Sequence, residues 1–308
     1  MTTINIEKDT DSSTTVREGQ SPFKKIVSDY MEDRLAAGAF FIVIIVILIA
    51  VLAPLISIQN PYDLAQINIL DNRLPPGSES MDGKIYLLGT DDQGRDMLSA
   101  IFYGLRISLF VGIISGVLSM MLGTILGVMG AYIGGKMDAF IMRVVDLLLG
   151  MPSILIALIL LAVLGRGIDK IIIALMVRQW AYFARIVRGA ALSELNKEYI
   201  EAARCLRLST PRIVFRHLLP NCIPPLIVIC TVNVAFAIGL EATLSFLGVG
   251  LPITEPSLGL LIANGYQYII SGDYWISVYP GIALLIAVAS INVVGDRLRD
   301  ILNPRLQK

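Results

Sequence analysis

The sequence predicts an all-α integral membrane protein that crosses the bilayer six times, and three observations carry that prediction. Of 308 residues, 55% are hydrophobic and only 16% charged, more apolar surface than one soluble core of this size requires. The apolar residues gather into six runs, approximately 35–57, 107–133, 139–164, 171–192, 222–248 and 275–296. Each is long enough to cross roughly 30 Å of hydrocarbon at about 1.5 Å per helical residue. Lys and Arg are segregated along the chain, and cytoplasmic loops are the ones that collect them.

In chain order, residues 1–20 are rich in Ser, Thr and acids and bury too little to fold, so they are expected to be a disordered cytoplasmic tail. Ser21 and Pro22 then signal a helix start, and Phe23, Ile26, Val27, Tyr30 and Met31 share one face opposite Lys24 and Lys25. Residues 21–34 are expected to be an amphipathic helix on the inner leaflet. The run 35–57 is too long and too far from the start for a cleaved secretory signal and reads as an anchor. Residues 58–106 follow as an acid-rich extracytoplasmic loop.

The second span, 107–133, repeats small residues every four positions, Ser115, Ser119, Gly123, Gly127 and Ala131. Such a stripe lets another helix backbone approach closely, within this chain or from a second subunit. The third, 139–164, carries Arg143 and Asp146, an i, i+3 pair near its inner end. Arg178 and Gln179 interrupt the fourth, 171–192, while Asn233 and Glu241 lie on the fifth, 222–248. A charge at membrane depth faces protein or water, so Arg178 and Glu241 either line a cavity or pair between helices.

Basic residues cluster before the first span, between the fourth and fifth (Arg185, Arg188, Lys197, Arg204, Arg207, Arg212, Arg216) and at the end. Six spans with both termini in the cytoplasm place all three clusters inside. Within the loop 193–221, Asn196 is expected to cap a helix running to about Arg207. Ser209 or Thr210 then caps a second, with Pro211 at its first position and Pro220 ending it. Pinned between spans, this helix-turn-helix cannot follow a DNA groove, so no nucleic-acid partner is expected. Cys205, Cys222 and Cys230 read as free thiols. His217 is the single histidine, which excludes a multi-histidine metal centre, and the glycines around Lys136 lack the Ser or Thr of a phosphate-binding loop. No catalytic constellation is present in the sequence, and no cofactor is expected on this chain.

The order Glu201, Ala202, Ala203, followed by Leu219 and Pro220, resembles the EAA signature of permease subunits in bacterial ABC importers. Residues 88–109, 244–259 and 295–306 are similar to the C-type permeases of dipeptide, oligopeptide and nickel importers, and the likeness runs from about residue 22 to the end. The resemblance implies a type I importer permease core over 107–308 in a bacterial inner membrane. It also implies a second related permease, two cytoplasmic ATPase subunits carrying ATP and magnesium, and an extracytoplasmic substrate-binding protein.

By that resemblance the EAA loop is the coupling helix, with Glu201, Ala202, Ala203, Arg204, Arg207, Ser209, Pro211 and Arg212 facing the ATPase. Arg207 stands where the family pattern has a glycine bend. Arg178, Asn233 and Glu241 are the candidates for the translocation path. Asp91, Asp92, Arg95 and Asp96, flanked by Gly89, Thr90 and Gly94, are the candidates for contact with the binding protein, with a purely structural belt against the membrane surface as the equal alternative. Peptide is the cargo the family implies, with nickel chelate or glutathione as alternatives. An ion-coupled secondary transporter is the rival class, and it would need buried proton carriers, for which only Glu241 qualifies.

Overall fold

The computed structural model describes residues 22–80, 83–252 and 254–302; the expected tail, 1–20, lies outside them. Helix α1, Pro22–Met31, leads into α2, Arg34–Ile56, whose start is capped by the Asp33 carboxylate accepting from Leu35 N at 2.9 Å and Ala36 N at 3.3 Å. The long α3, Met97–Ile133, is followed by α4, Gly135–Gly150, α5, Ser153–Leu164, and α6, Ile168–Leu195. Short α7, Glu198–Cys205, and α8, Thr210–Arg212, lead into a π-helical turn, Ile213–Leu218, and α9, Leu219–Phe246. Helices α10, Leu258–Tyr266, and α11, Trp275–Leu302, complete the bundle. A two-residue hairpin, β1 Ser78–Glu79 against β2 Ile85–Tyr86, lies in the segment between α2 and α3.

Among the described residues, four helical stretches are long and apolar enough to cross a membrane, and five if the bent α4–α5 pair counts as one crossing. The fourth expected span is α6, a continuous 28-residue helix, but Arg178, Arg185 and Arg188 along its length keep it out of that apolar set. The third expected span is not one straight rod, because α4 and α5 meet at 96°. Pro152 causes the break. It brings no N–H, and it pushes Met151 into extended backbone at φ −97°, ψ 146°. The second span starts at Met97, earlier than the expected 107, because Asp96 caps it there through Ser99 N at 2.8 Å.

The small-residue stripe on α3 is used inside this chain. A Cβ at Gly123 would meet Phe183 Cβ at 2.5 Å and Trp180 O at 2.6 Å, and one at Gly127 would meet Ala184 O at 2.6 Å, so α3 and α6 pack backbone to backbone. Gly112 makes room for the Ile238 side chain of α9, whose Cγ1 would lie 2.7 Å from a Cβ there. Apolar clusters then knit α3 to α5, α6 and α9 on one side and to α2, α10 and α11 on the other.

Two further expectations change. Asp146 pairs with Arg185 of α6 instead of Arg143, and Asp138 takes Arg188 in a two-bond contact. Both ion pairs join α4 to α6, whereas an intrahelical pair would have joined nothing. On α1, Tyr30 turns into the protein: it is buried with Ala36 and Ile301, its hydroxyl donating to Ala36 O at 3.2 Å. Val27 and Met31 stay exposed, and the face expected from Phe23 and Ile26 lies outside the described side chains.

Candidate functional site

The loop between α6 and α9 is a folded unit. Asn196 ends α6, its Nδ2 donating to Leu192 O at 3.0 Å, instead of capping α7, whose cap position belongs to Lys197. A polar strap ties three elements together here. Glu194 accepts from Lys197 Nζ at 2.6 Å and from the Tyr199 hydroxyl at 2.5 Å, and Asn221 Nδ2 donates to that hydroxyl at 3.1 Å. Burial, and then the Glu194 carboxylate it donates to, push the Tyr199 phenol up to about 12, so it stays a donor throughout the physiological range.

Below the strap, Ile200 and Ala203 of α7 are buried with Val128 and Ala131 of α3, Val187, Ala191 and Leu195 of α6, and Ile213 and Leu218. Ala203 is therefore part of this chain's own core at 4% exposure, which corrects its expected role as an outward contact. Glu201, Ala202, Arg204 and Arg207 do face outward, as do Ser209, Pro211 and Arg212. The helical period explains the split, since Ile200 and Ala203 lie three apart on one face and Glu201 and Arg204 on the other. Sequence reasoning missed two prominent apolar side chains beside them, Leu206 at 74% and Phe215 at 69% exposure. An apolar residue left exposed in an otherwise charged loop was the signal available.

The glycine bend survives without glycine. Leu208 N bonds to Ala203 O at 3.2 Å and Arg207 N to Arg204 O at 2.9 Å, the paired bonds that close a helix through a left-handed residue. Arg207 is that residue, at φ 53°. A side chain there costs roughly 1 kcal/mol, and burial of Leu208 beside Ala203 offsets it. Arg207→Gly is therefore expected to tighten the loop by about 0.5–1 kcal/mol, against the greater unfolded entropy of glycine. Slower amide exchange at residues 207 and 208 is the readout, and unchanged or faster exchange would refute the strain.

Pro220 does not stop the helix that follows. The π-helical turn before it carries the chain into α9 with Leu219 N bonded five residues back to Val214 O. The widened turn reaches α9 just where a prolyl N–H is not needed. Helices α6, α9 and α11 then line an open-sided pocket of about 770 Å³, which includes Arg178, Tyr182, Asn233, Phe236 and Arg299 in its lining. Two of the three path candidates, Arg178 and Asn233, thus meet there.

Glu241 does not reach the cavity. It is fully buried, accepting from Ser108 Oγ and Ser245 Oγ, each at 2.8 Å. Its place is the packing of α9 against α3, because a carboxyl sunk in an apolar bundle keeps the hydroxyl donors it has.

The segment between α2 and α3 is a knot built on acids. Asp91 holds Arg95 Nε at 2.6 Å and accepts from Gln93 N and Arg95 N, all inside the chain. Asp96 caps α3, and Thr90 O accepts from Trp275 Nε1 at 3.1 Å, tying the knot to α11. Gly94, at φ 80°, passes so close to Asn68 that a Cβ would lie 2.2 Å from its carbonyl oxygen. With Asp91, Arg95 and Asp96 at 0%, 1% and 0% exposure, the expected contact with a binding protein is corrected to a structural role. Asp92 alone is half-buried, and burial, then the neighbouring Asp91 charge, raise its carboxyl above the usual range. This side of the molecule exposes the apolar Ile69, Leu70, Leu87 and Ile270 alongside Arg73, Glu79 and Lys84.

An α-helical membrane bundle with a folded basic connector between two of its long helices is the architecture of a transport permease, and comparison with known proteins places the chain further. Residues 119–308 match the family described as binding-protein-dependent transport system inner membrane component, and residues 21–76 the N-terminal transmembrane domain of oligopeptide transport permease C. The chain is 33% identical over 305 residues to the dipeptide transport system permease protein DppC of Bacillus subtilis (strain 168), covering 99% of this chain and 92% of that one. Against the oligopeptide transport system permease protein OppC of the same organism, identity is 35% over 292 residues, with 95% and 92% covered. A permease of the MetNI methionine ABC transporter in inward-facing crystals shares the fold, at TM-score 0.52 and 24% identity over 67% of this chain and 97% of that one. The chain belongs to the family of binding-protein-dependent ABC importer permeases, in its dipeptide and oligopeptide C-type branch. That family transports and is not a catalytic one.

Proposed function

We propose that this chain forms half of the translocation pathway of a di- or oligopeptide importer in a bacterial inner membrane, with both termini cytoplasmic. Its partners are a second related permease, two cytoplasmic ATPase subunits that bind ATP and magnesium, and an extracytoplasmic binding protein. This chain itself holds no cofactor. The observation that carries the reading is the build of α7: Ile200 and Ala203 are rooted in the ends of α3 and α6, while Glu201, Ala202, Arg204 and Leu206 stand outward. A helix so mounted transmits a push on its outer face to the spans behind it, because close-packed interiors carry displacement rather than absorb it.

Closure of the ATPase pair on ATP moves the docked helices, and the permease halves rock between inward and outward access. ATP supplies the difference in affinity between those two states. The exposed Leu206 and Phe215 fit the apolar part of the ATPase contact, and Glu201 its charged part. On the opposite side Ile69, Leu70 and Ile270 are the surface offered to the binding protein. The relatives named for dipeptide and oligopeptide transport support the cargo.

The test is reconstitution. The assembly purified through this chain is expected to bring ATPase subunits with it and to take up peptide in liposomes at the expense of ATP. Uptake driven by an ion gradient alone would overturn the ATP coupling, and uptake of nickel chelate or glutathione but not peptide would overturn the cargo. Glu201→Lys sets like charges together at the docking surface, which costs on the order of several kcal/mol. Peptide moved per ATP hydrolysed should fall about tenfold or more; a parental ratio would remove Glu201 from the contact.

A further inference from the structure

The cavity between α6, α9 and α11 is cationic and carries no acid. Arg178 and Arg299 are the charged residues in its lining; the others are polar or apolar, Asn221, Asn233 and Phe236 among them. Arg178 follows the start of α6 by ten residues, about 15 Å along the helix, and is half-buried there. Its guanidinium carbon lies 5.6 Å from the centre of the Phe236 ring. Its Nε is buried with no hydrogen-bond partner, and among the described residues no carboxylate pairs with it. Asp138 and Asp146 of α4 are engaged by Arg188 and Arg185, and Glu241 of α9 by Ser108 and Ser245; Asp296 and Asp300 of α11 are exposed and outside the lining.

A guanidinium at this depth is expensive to hold without an anion, and an aromatic face recovers only part of that cost. Two other arginines of α6, Arg185 and Arg188, each have a carboxylate of α4; Arg178 faces the pocket instead. The volume, about 770 Å³, lies within the roughly 300–1,000 Å³ range of cavities that hold small organic ligands. Guanidinium and carboxylate match in a two-bond geometry, and the pair is strongest where water is scarce.

We propose that Arg178 is the residue of the pathway that receives the carboxylate of the solute in transit, with Arg299 at the inner mouth drawing that charge onward. The proposal rests on the peptide-importer reading, in which every cargo molecule ends in a carboxylate. It makes this chain a contributor to cargo selection, favouring solutes with an anionic end over capped or purely cationic ones. A carboxylate could also come from an acidic side chain of the second permease, and the experiment separates the two sources.

The complete assembly with its own binding protein is reconstituted in liposomes, with the free-acid dipeptide alanylalanine as probe and calorimetry confirming that the binding protein takes it. Arg178→Gln is expected to lower uptake roughly tenfold to a hundredfold, the loss of a charge-assisted hydrogen bond, and Arg178→Lys to restore part of it. The second permease should co-purify with both variants in parental yield. Parental uptake by Arg178→Gln overturns the proposal while leaving the importer reading intact. Loss of the second permease from Arg178→Gln overturns it in favour of a carboxylate on that subunit. A parent assembly that moves no peptide overturns the cargo reading and the proposal together.

Discussion

Asp91→Ala is expected to cost about 3–5 kcal/mol of stability, because it removes the carboxylate from a buried ion pair. Asp91 and Arg95 are 0% and 1% exposed with 2.6 Å between Oδ2 and Nε, so water cannot replace the lost partner. The same carboxylate also organises backbone, through Gln93 N at 2.9 Å and Arg95 N at 2.8 Å. Damage should therefore spread to the turn at Gly94 and to the cap that starts α3. The thermal midpoint of the detergent-solubilised complex should fall, and trypsin should cut between residues 57 and 96 where the parent resists. Pairing Asp91→Leu with Arg95→Met should recover much of the loss, since apolar replacement of a whole buried pair is close to neutral. A single variant within about 1 kcal/mol of the parent would contradict the assigned structural role.

That pair also shows where the sequence misled. An Asp-rich, Gly-punctuated segment outside the membrane reads as a solvated receptor surface, because charge in a loop is normally exposed. What reversed the reading is tertiary: the acids are consumed by backbone N–H groups of a tight turn and by one arginine, which no spacing rule announces. The opposite holds for the connector. Glu201 and Arg204 outside and a Pro211 helix start are local consequences of a 3.6-residue period and of capping chemistry, and these were legible. Ala203 was misassigned because the motif treats its two alanines alike, whereas the helical period sends them to different faces.

The membrane region divides along the same line. Apolar length located the spans, and the stripe of Gly123 and Gly127 announced a close helix contact. The 96° break at Pro152 was available in principle, since proline restricts the residue before it, but an unbroken apolar run concealed it. Pro220 shows the converse: the same residue type leaves the helix running, because a π-helical turn precedes it. Which proline breaks and which is absorbed depends on the carbonyls around it. Helix partners were out of reach too, so the acid at 146 was assigned to its own helix when its arginine lay across on α6.

Glu241 is the residue on which pathway and packing make opposite predictions. Two serine hydroxyls donate to its carboxyl, one from α3 and one from its own helix, each at 2.8 Å. Glu241→Leu removes the acceptor and leaves hydroxyls without partners in an apolar interior, and the sum is expected to be about 3–5 kcal/mol. Glu241→Gln keeps the shape and one acceptor oxygen. A serine facing the new amide can rotate to accept from it, and Ser245, four residues on, can turn to the backbone carbonyl at 241. The cost of Gln should then stay below about 1.5 kcal/mol. A packing residue predicts that both variants, wherever they assemble, show the parental concentration dependence of peptide uptake, with Leu lowering the amount of folded complex. A proton carrier or path residue predicts the reverse: full assembly with Gln and a changed half-saturation or rate. Thermal midpoint and uptake curve measured on the same preparations decide between them, and a Gln variant that folds as well as the parent yet transports poorly would return Glu241 to the pathway.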